Sequence, residues 1–121
     1  MKHILLIDDD RTNASLIKIL LEMDGFKVEI YPDLRQARKA ITAETNAFVI
    51  DCNLALGDNG IDLLNEIREG LTAVAPDTPV IVTSGDDRRS IEAERSGATQ
   101  FLLKPYSPSK LSNELTKLTS S

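Results

Sequence analysis

Acidic residues and one lysine stand directly after short apolar segments of the chain, where they could carry out chemistry together. These residues are Asp8, Asp9, Asp51 and Lys104. Carboxylates that are packed together repel one another unless a cation is present, so their grouping would favour a metal ion. Oxygen ligands with open positions for water suit Mg²⁺ better than Ca²⁺. Together with Lys104, Mg²⁺ could neutralise a phosphoryl group that moves onto a carboxylate oxygen.

A hydroxyl group completes the set, because Thr83 follows another apolar segment and could hydrogen-bond a phosphoryl oxygen. Each of these residues also has a structural interpretation. Asp9 or Asp10 could cap the following helix, and Asp51 could begin a turn. Thr83 could be a turn hydroxyl, and Lys104 could be a solvated surface lysine. Such roles do not require the residues to lie together at the ends of four separate strands. Their co-location therefore favours a phosphoryl acceptor site with an aspartate as the nucleophile.

Five short apolar segments predict the strands that position these residues. They are residues 4–7, 28–31, 47–50, 80–82 and 101–103. Four are apolar throughout, which is typical of strands buried on both faces of a parallel sheet, whereas residues 28–31 alternate as an edge strand would. Segments with helical periodicity separate them, and the last helix is predicted to begin at Ser107 and Pro108. The alternation predicts a doubly wound α/β fold with a five-stranded parallel sheet, in which ligands bind at the carboxyl ends of the strands.

Composition limits the classes of function. The 121 residues suit one domain, and 14 Lys plus Arg against 19 Asp plus Glu give a net charge of −5. An acidic surface does not suit nucleic-acid binding, which requires positive charge against phosphates. No apolar run approaches the roughly 20 residues of a membrane-spanning helix, and the aspartates at 8–10 fall where a secretory signal would be apolar. Cys52 is the single cysteine and cannot form an internal disulfide, which favours a reducing compartment. We therefore expect a cytoplasmic domain, and the short apolar runs lead us to expect no attachment to a membrane.

The sequence resembles the receiver domain of two-component response regulators, the CheY-like family, along essentially its whole length. The matching segments are ILLIDDD at 4–10, FVID at 48–51, PVIVTS at 79–84, GA at 97–98 and FLLKPY at 101–106. They occur in the family's order and at its normal spacing. The resemblance implies that residues 1–121 form one receiver domain with a flavodoxin-like fold and the sheet order 2-1-3-4-5.

The resemblance also implies a phosphoacceptor and a metal site. In that family, the acid at the end of the third strand accepts a phosphoryl group from the phosphohistidine of a histidine kinase or a histidine phosphotransfer protein. The corresponding residue here is Asp51. Asp8 and Asp9 match the acidic pair that binds Mg²⁺ together with the acceptor, and the backbone carbonyl of Asn53 would complete the protein ligands.

A conformational switch is implied in the same way. Thr83 matches the switch hydroxyl, Lys104 the lysine that pairs with the phosphoryl group, and Phe101 the aromatic residue that changes orientation on activation. Phosphorylation would then alter the surface of the fourth helix, fifth strand and fifth helix, which would bind an unknown downstream partner or a second copy of the domain. Such a domain is not an enzyme in the usual sense, because it catalyses only its own phosphorylation and dephosphorylation.

One loop departs from the family pattern. The family usually has proline four residues after the acceptor, whereas this chain has Ala55, and the loop 53–60 looks one residue longer. A small Gly85 and a polar Asn53 would leave an acyl phosphate open to water. We therefore expect a phosphorylated state that lasts minutes or less rather than many hours.

Other functions share some of these residues. In a haloacid-dehalogenase-type phosphatase Asp8 would be the nucleophile, because DDDRT at 8–12 fits that family's opening motif. Asp51 would then have no role, and beyond Lys104 only Glu114 could supply the further acidic motif which that family needs. A receiver that has lost its chemistry would act only as a binding module. An FMN-binding flavodoxin is disfavoured, because three aspartates in the first loop would repel the phosphate.

Overall fold

Five parallel strands form the sheet in the computed structural model of the protein, which describes residues 1–120. They are β1 (Lys2–Ile7), β2 (Phe26–Tyr31), β3 (Thr45–Asp51), β4 (Val80–Ser84) and β5 (Gln100–Leu103). The order across the sheet is β2-β1-β3-β4-β5, and every neighbouring pair is parallel. The doubly wound fold and the predicted order 2-1-3-4-5 are confirmed.

Within the same residues, one α-helix follows each strand. The helices are α1 (Arg11–Met23), α2 (Leu34–Ala40), α3 (Ile61–Arg68), α4 (Arg89–Arg95) and α5 (Pro108–Thr119), and a short 3-10 turn spans Ala55–Gly57. The Ser107 side chain caps α5 by accepting a hydrogen bond from the backbone amide of Lys110, and Pro108 lies in the first turn, as predicted. Among residues 1–120, none of the helices combines the length and the apolar character that crossing a membrane requires.

Apolar side chains cover both faces of the central strands. Leu5 and Ile7 of β1 lie in a cluster with residues of α2, α3 and α4, whereas Ile4 and Leu6 pack with residues of α1 and α5. All four are at most 4% exposed. Because both faces are buried, every position of such a strand favours an apolar residue, which explains the unbroken apolar segments of the sequence.

The strand β2 lies at the edge of the sheet, next to β1 alone. Its buried residues Phe26 and Val28 alternate with the exposed residues Lys27 and Glu29. This alternation confirms the predicted edge position.

Candidate functional site

The ends of β1 and β3 bring three carboxylates together. Ile7 lies beside Ile50 in the register of these strands, so the residues that follow them share one edge of the sheet. One oxygen from each of Asp8, Asp9 and Asp51 lies within 4.8 Å of the others. Asp8 and Asp51 are buried and Asp9 is exposed, so the cluster opens to solvent on the side of Asp9. These oxygens suit a hard cation such as Mg²⁺, which keeps several water ligands.

Lys104 follows β5 and places an ammonium group between two of the carboxylates. Its Nζ donates one hydrogen bond of 2.9 Å to Asp8 Oδ2 and one of 2.7 Å to Asp51 Oδ2. The peptide bond between Lys104 and Pro105 is cis. The ammonium group therefore lies where it could pair with a group attached to Asp51.

Burial controls the charge balance of this cluster. It raises the pKa of Asp51 above its ordinary value, because the hydrogen bonds from Lys104 and from the backbone amide of Asn53 offset it only in part. For Lys104, burial lowers the pKa, but the hydrogen bonds to Asp51 and Asp8 outweigh it and raise the pKa, so the ammonium stays protonated. Three carboxylates thus face one ammonium group. The remaining negative charge is what a divalent cation would offset.

Thr83 lies near the end of β4, directly beside Asp51. The two residues are partners in the parallel register, and the backbone amide of Cys52 donates a 2.9 Å hydrogen bond to the carbonyl of Thr83. Thr83 is 1% exposed, so its side chain is enclosed next to the end of the acceptor strand. The neighbouring Ser84 has a structural role, because its Oγ accepts a hydrogen bond from the backbone amide of Asp86 in the turn before α4.

Phe101 lies on β5 beside Val82 of β4. It is half-buried against the apolar cluster that includes Ala93 of α4. The next residue, Leu102, is the register partner of Thr83. The structure thus brings the predicted switch residues Thr83 and Phe101 to neighbouring positions, and their switching role stays a prediction.

The loop that follows the acceptor is fixed at both ends. The backbone amide of Asn53 donates a 3.1 Å hydrogen bond to Asp51 Oδ1, and a β-bridge joins Asn53 to Asn59. Between them, the chain reverses through the 3-10 turn, where the exposed Leu56 has a φ of 65° in the left-handed region. A Cβ at Gly60 would overlap the carbonyl oxygen of Asp51, so the return of the loop requires a glycine at this position.

Arg89, at the start of α4, contacts this loop. Its guanidinium donates hydrogen bonds to the side-chain oxygens of Asn53 (3.2 Å) and Asn59 (3.1 Å) and to Glu92 (2.9 Å). No local motif marks Arg89, because the contact depends on how α4 is placed over the loop. It is the member of the site that sequence reasoning missed.

Comparison with known proteins supports the resemblance. The family model of the response regulator receiver domain matches residues 4–116. The regulatory protein VirG of Rhizobium rhizogenes is 34% identical over 110 residues, which cover 88% of this chain and 43% of VirG. The chain therefore spans less than half the length of this relative.

Solved structures share the fold. The receiver domain of the Francisella response regulator 1452 matches with a TM-score of 0.86 at 30% identity, over 98% of this chain and 97% of that chain. The receiver domain of the sensor histidine kinase PA1611 from Pseudomonas aeruginosa PAO1, which has a magnesium ion coordinated in its active-site cleft, matches with a TM-score of 0.83. The second match covers 99% and 98% of the two chains at 23% identity, which shows the fold alone.

Proposed function

Because the chain belongs to the response regulator receiver domain family, we propose that Asp51 accepts a phosphoryl group from the phosphohistidine of a histidine kinase or a histidine phosphotransfer protein. One observation supports this role most directly. Asp51 shares the carboxylate cluster with Asp8 and Asp9, while the ammonium of Lys104 lies 2.7 Å from its Oδ2. A metal position and a fixed ammonium are the positive groups that phosphoryl transfer requires.

The transfer exchanges one bond for another. A carboxylate oxygen of Asp51 attacks the phosphorus atom and forms a P–O bond, while the P–N bond to the donor imidazole breaks. The imidazole nitrogen keeps the electron pair and takes a proton from solvent. Lys104 would pair with one phosphoryl oxygen, and the hydroxyl of Thr83 would donate a hydrogen bond to another.

Asp8, Asp9, the carboxylate of Asp51 and the backbone carbonyl of Asn53 would hold Mg²⁺. The donor set fits this ion, because all the donors are hard oxygens and the exposed Asp9 leaves room for water ligands. When bound, Mg²⁺ neutralises charge on the phosphoryl oxygens. The magnesium ion in the active-site cleft of the PA1611 receiver domain supports this assignment.

The proposed output is a change of surface. A receiver domain is a signalling element rather than a conventional enzyme, and in our proposal residues 1–121 form one such domain that catalyses only its own phosphorylation and dephosphorylation. A phosphoryl group on Asp51 would draw in Thr83 and reorient Phe101. The altered surface of α4, β5 and α5 would then bind a downstream partner or a second copy of the domain.

Side-chain contacts do not favour the phosphatase alternative. That alternative would use the motif that begins at Asp8 and includes Asp10. The carboxylate of Asp10 caps α1 by accepting a hydrogen bond from the backbone amide of Asn13. The second acid of the phosphatase motif is therefore engaged in a structural role at the start of α1.

We also propose that the phosphorylated state is short-lived, lasting minutes or less. A Cβ at Gly85 would have no neighbouring heavy atom within 4 Å, and Asn53 is exposed, so water could approach the acyl phosphate. A time course of phosphate release in Mg²⁺ buffer measures the lifetime. A phosphorylated state that is stable for many hours would contradict this proposal.

Incubation with acetyl phosphate and Mg²⁺ tests the proposed function. Intact-mass spectrometry would measure phosphoryl incorporation into the wild type, Asp51→Asn and Asp8→Asn. We expect Asp51→Asn to abolish incorporation and Asp8→Asn only to slow it, because the second variant keeps the acceptor. Incorporation that is lost only in Asp8→Asn would support the phosphatase, and a wild type that takes up no phosphoryl group would indicate a binding module.

A further inference from the structure

Helix α4 has few anchors. Ala93 is its buried residue, and within residues 1–120 the N-cap residue Arg88 makes no side-chain capping hydrogen bond. A short helix that buries little apolar surface has low local stability. Side-chain contacts between its first turn and the neighbouring loop are therefore important for its position.

Four polar side chains join α4 to the loop after Asp51. We call this set the Arg89 clasp, and its members are Asn53, Asn59, Arg89 and Glu92. Arg89 donates hydrogen bonds to the other three, at 3.2 Å, 3.1 Å and 2.9 Å respectively, and Asn59 Nδ2 also lies 3.4 Å from Glu92 Oε1. The clasp therefore links two segments that are distant in sequence, since Asn53 and Asn59 precede Arg89 by 36 and 30 positions.

The clasp lies close to the proposed acceptor. The side-chain oxygen of Asn53 accepts a hydrogen bond from Arg89, while its backbone amide donates one to Asp51 Oδ1. The Arg89 side chain is 23% exposed, so its guanidinium is partly shielded from water. An arginine keeps its positive charge at any physiological pH. The permanent positive charge of Arg89 is thus linked to Asp51 by hydrogen bonds through one residue, Asn53.

A phosphoryl group would compete for this guanidinium. Its present partners on the loop are neutral amide oxygens, and Glu92 is 46% exposed, so its pairing with Arg89 is weakened by solvent. A phosphoryl group would carry about −1.5 to −2 charges and three acceptor oxygens. Guanidinium groups bind such oxygens in bidentate, charge-assisted hydrogen bonds, which are stronger than hydrogen bonds to neutral amides.

We propose that Arg89 is the positioning residue that couples the phosphorylation of Asp51 to α4, an inference that rests on the proposed function. In the unphosphorylated protein, the clasp holds the start of α4 against the loop. A phosphoryl group on Asp51 draws the guanidinium away from Asn59 and Glu92, and the stronger charge-assisted contact holds the first turn of α4 to the phosphorylated residue. This coupling runs through the loop after Asp51, and it would act beside the proposed rearrangement of Thr83 and Phe101.

Hydrogen–deuterium exchange with and without acetyl phosphate and Mg²⁺ tests the coupling. The wild type would be compared with Arg89→Gln, which keeps a polar side chain but removes the positive charge and the bidentate guanidinium group. The matched control is Arg88→Gln, because Arg88 is the neighbouring arginine, its side chain is 87% exposed, and its ion pair is with Asp86. Intact mass measured on the same samples gives the phosphoryl incorporation, and the thermal midpoint reports the global stability.

In the wild type and in Arg88→Gln, we expect phosphorylation to slow the exchange of the α4 amides by about two- to fivefold, the range set by partly exposed ionic contacts. In Arg89→Gln, the α4 amides should exchange faster than in the wild type without the phosphodonor, and phosphorylation should not slow them at equal phosphoryl incorporation. A structural role alone would instead speed exchange throughout the sheet.

Two results would overturn this inference and leave the proposed function unaffected. One is the same phosphorylation-dependent slowing in Arg89→Gln as in the wild type, and the other is faster exchange spread over the strands of unphosphorylated Arg89→Gln. A wild type that takes up no phosphoryl group would overturn the proposed function, and this inference with it.

Discussion

Replacement of Lys104 with methionine would separate the role of its charge from that of its packing. Methionine keeps an unbranched apolar side chain but loses the ammonium that donates hydrogen bonds to Asp8 and Asp51. The side chains of Asp8 and Asp51 are only 3% and 9% exposed. The substitution would therefore leave two buried carboxylates without their cation.

The expected loss of stability follows from this burial. Removal of one partner from a fully buried ion pair costs about 3–5 kcal/mol. Because the Lys104 side chain is 22% exposed, solvent screening reduces the expected loss to about 2 kcal/mol at neutral pH. A loss of this size lowers the Tm of a domain of this length by about 8 °C.

The pH dependence of this loss has a definite sign. Burial raises the pKa of Asp51 above its ordinary value. The contribution of Asp51 to stability is therefore fully present below the ordinary pKa and is lost as the pH rises through the folded-state pKa. Without Lys104, the pKa of Asp51 would rise further. The destabilisation in Lys104→Met should thus be largest at neutral pH and become smaller on acidification.

Urea denaturation at neutral pH and at about pH 4.5 measures both effects. At neutral pH, Mg²⁺ that binds only the folded protein adds about 2.7 kcal/mol to the wild type at 100 times the wild-type Kd. At the same Mg²⁺ concentration Lys104→Met should gain more, because its more negative site binds the ion more tightly. Lys117→Met is the matched control, since Lys117 is exposed on α5. A loss below about 0.5 kcal/mol at neutral pH, or a loss that grows on acidification, would refute this reasoning.

Further substitutions distinguish the scaffold from the site. Gly60→Ala should destabilise the protein by about 2 kcal/mol in urea melts and slow phosphoryl incorporation, because the new Cβ would overlap the backbone of Asp51. Gly85→Ala should change the free energy of unfolding by less than about 0.5 kcal/mol, because the space around Gly85 is open. Equal melts for these two variants would contradict the prediction. Arg68→Met should cost about 2–3 kcal/mol, because Arg68 donates hydrogen bonds to three backbone carbonyls and to Thr99, and it should leave incorporation by the remaining folded protein unchanged. Asp9→Asn should weaken Mg²⁺ binding by about tenfold in calorimetry with little loss of stability, because Asp9 is exposed; an unchanged Mg²⁺ affinity would exclude it as a ligand.

The grouping of the site residues was accessible from the sequence for a geometric reason. In a parallel sheet, the residues that follow each strand lie at one edge. Asp51 and Lys104 could therefore be placed together without knowledge of any contact. The same reasoning could not decide between three consecutive acids. Asp8 faces the buried cluster and Asp10 caps α1, and this division depends on the direction of the backbone at the end of β1 rather than on residue type.

The contacts of α4 were not accessible in the same way. Arg89 reaches Asn53 only because α4 lies over the loop after the acceptor. Within the described residues of α4, Ala93 is the one buried residue, so the helix has no periodic apolar pattern that would predict this placement. The course of that loop also depends on two backbone features. Leu56 adopts a left-handed conformation, and Gly60 passes too close to Asp51 for any side chain. A left-handed leucine has no propensity signal, because the surrounding structure imposes it.

Borohydride trapping tests the central claim most directly. Reduction of an aspartyl phosphate converts that residue to homoserine, so peptide mapping then identifies the residue that carried the phosphoryl group. After incubation of the wild type with acetyl phosphate and Mg²⁺, we expect homoserine in place of Asp51 and of no other aspartate. Homoserine in place of Asp8 or Asp9, with Asp51 unmodified, would contradict the assignment of Asp51 as the acceptor.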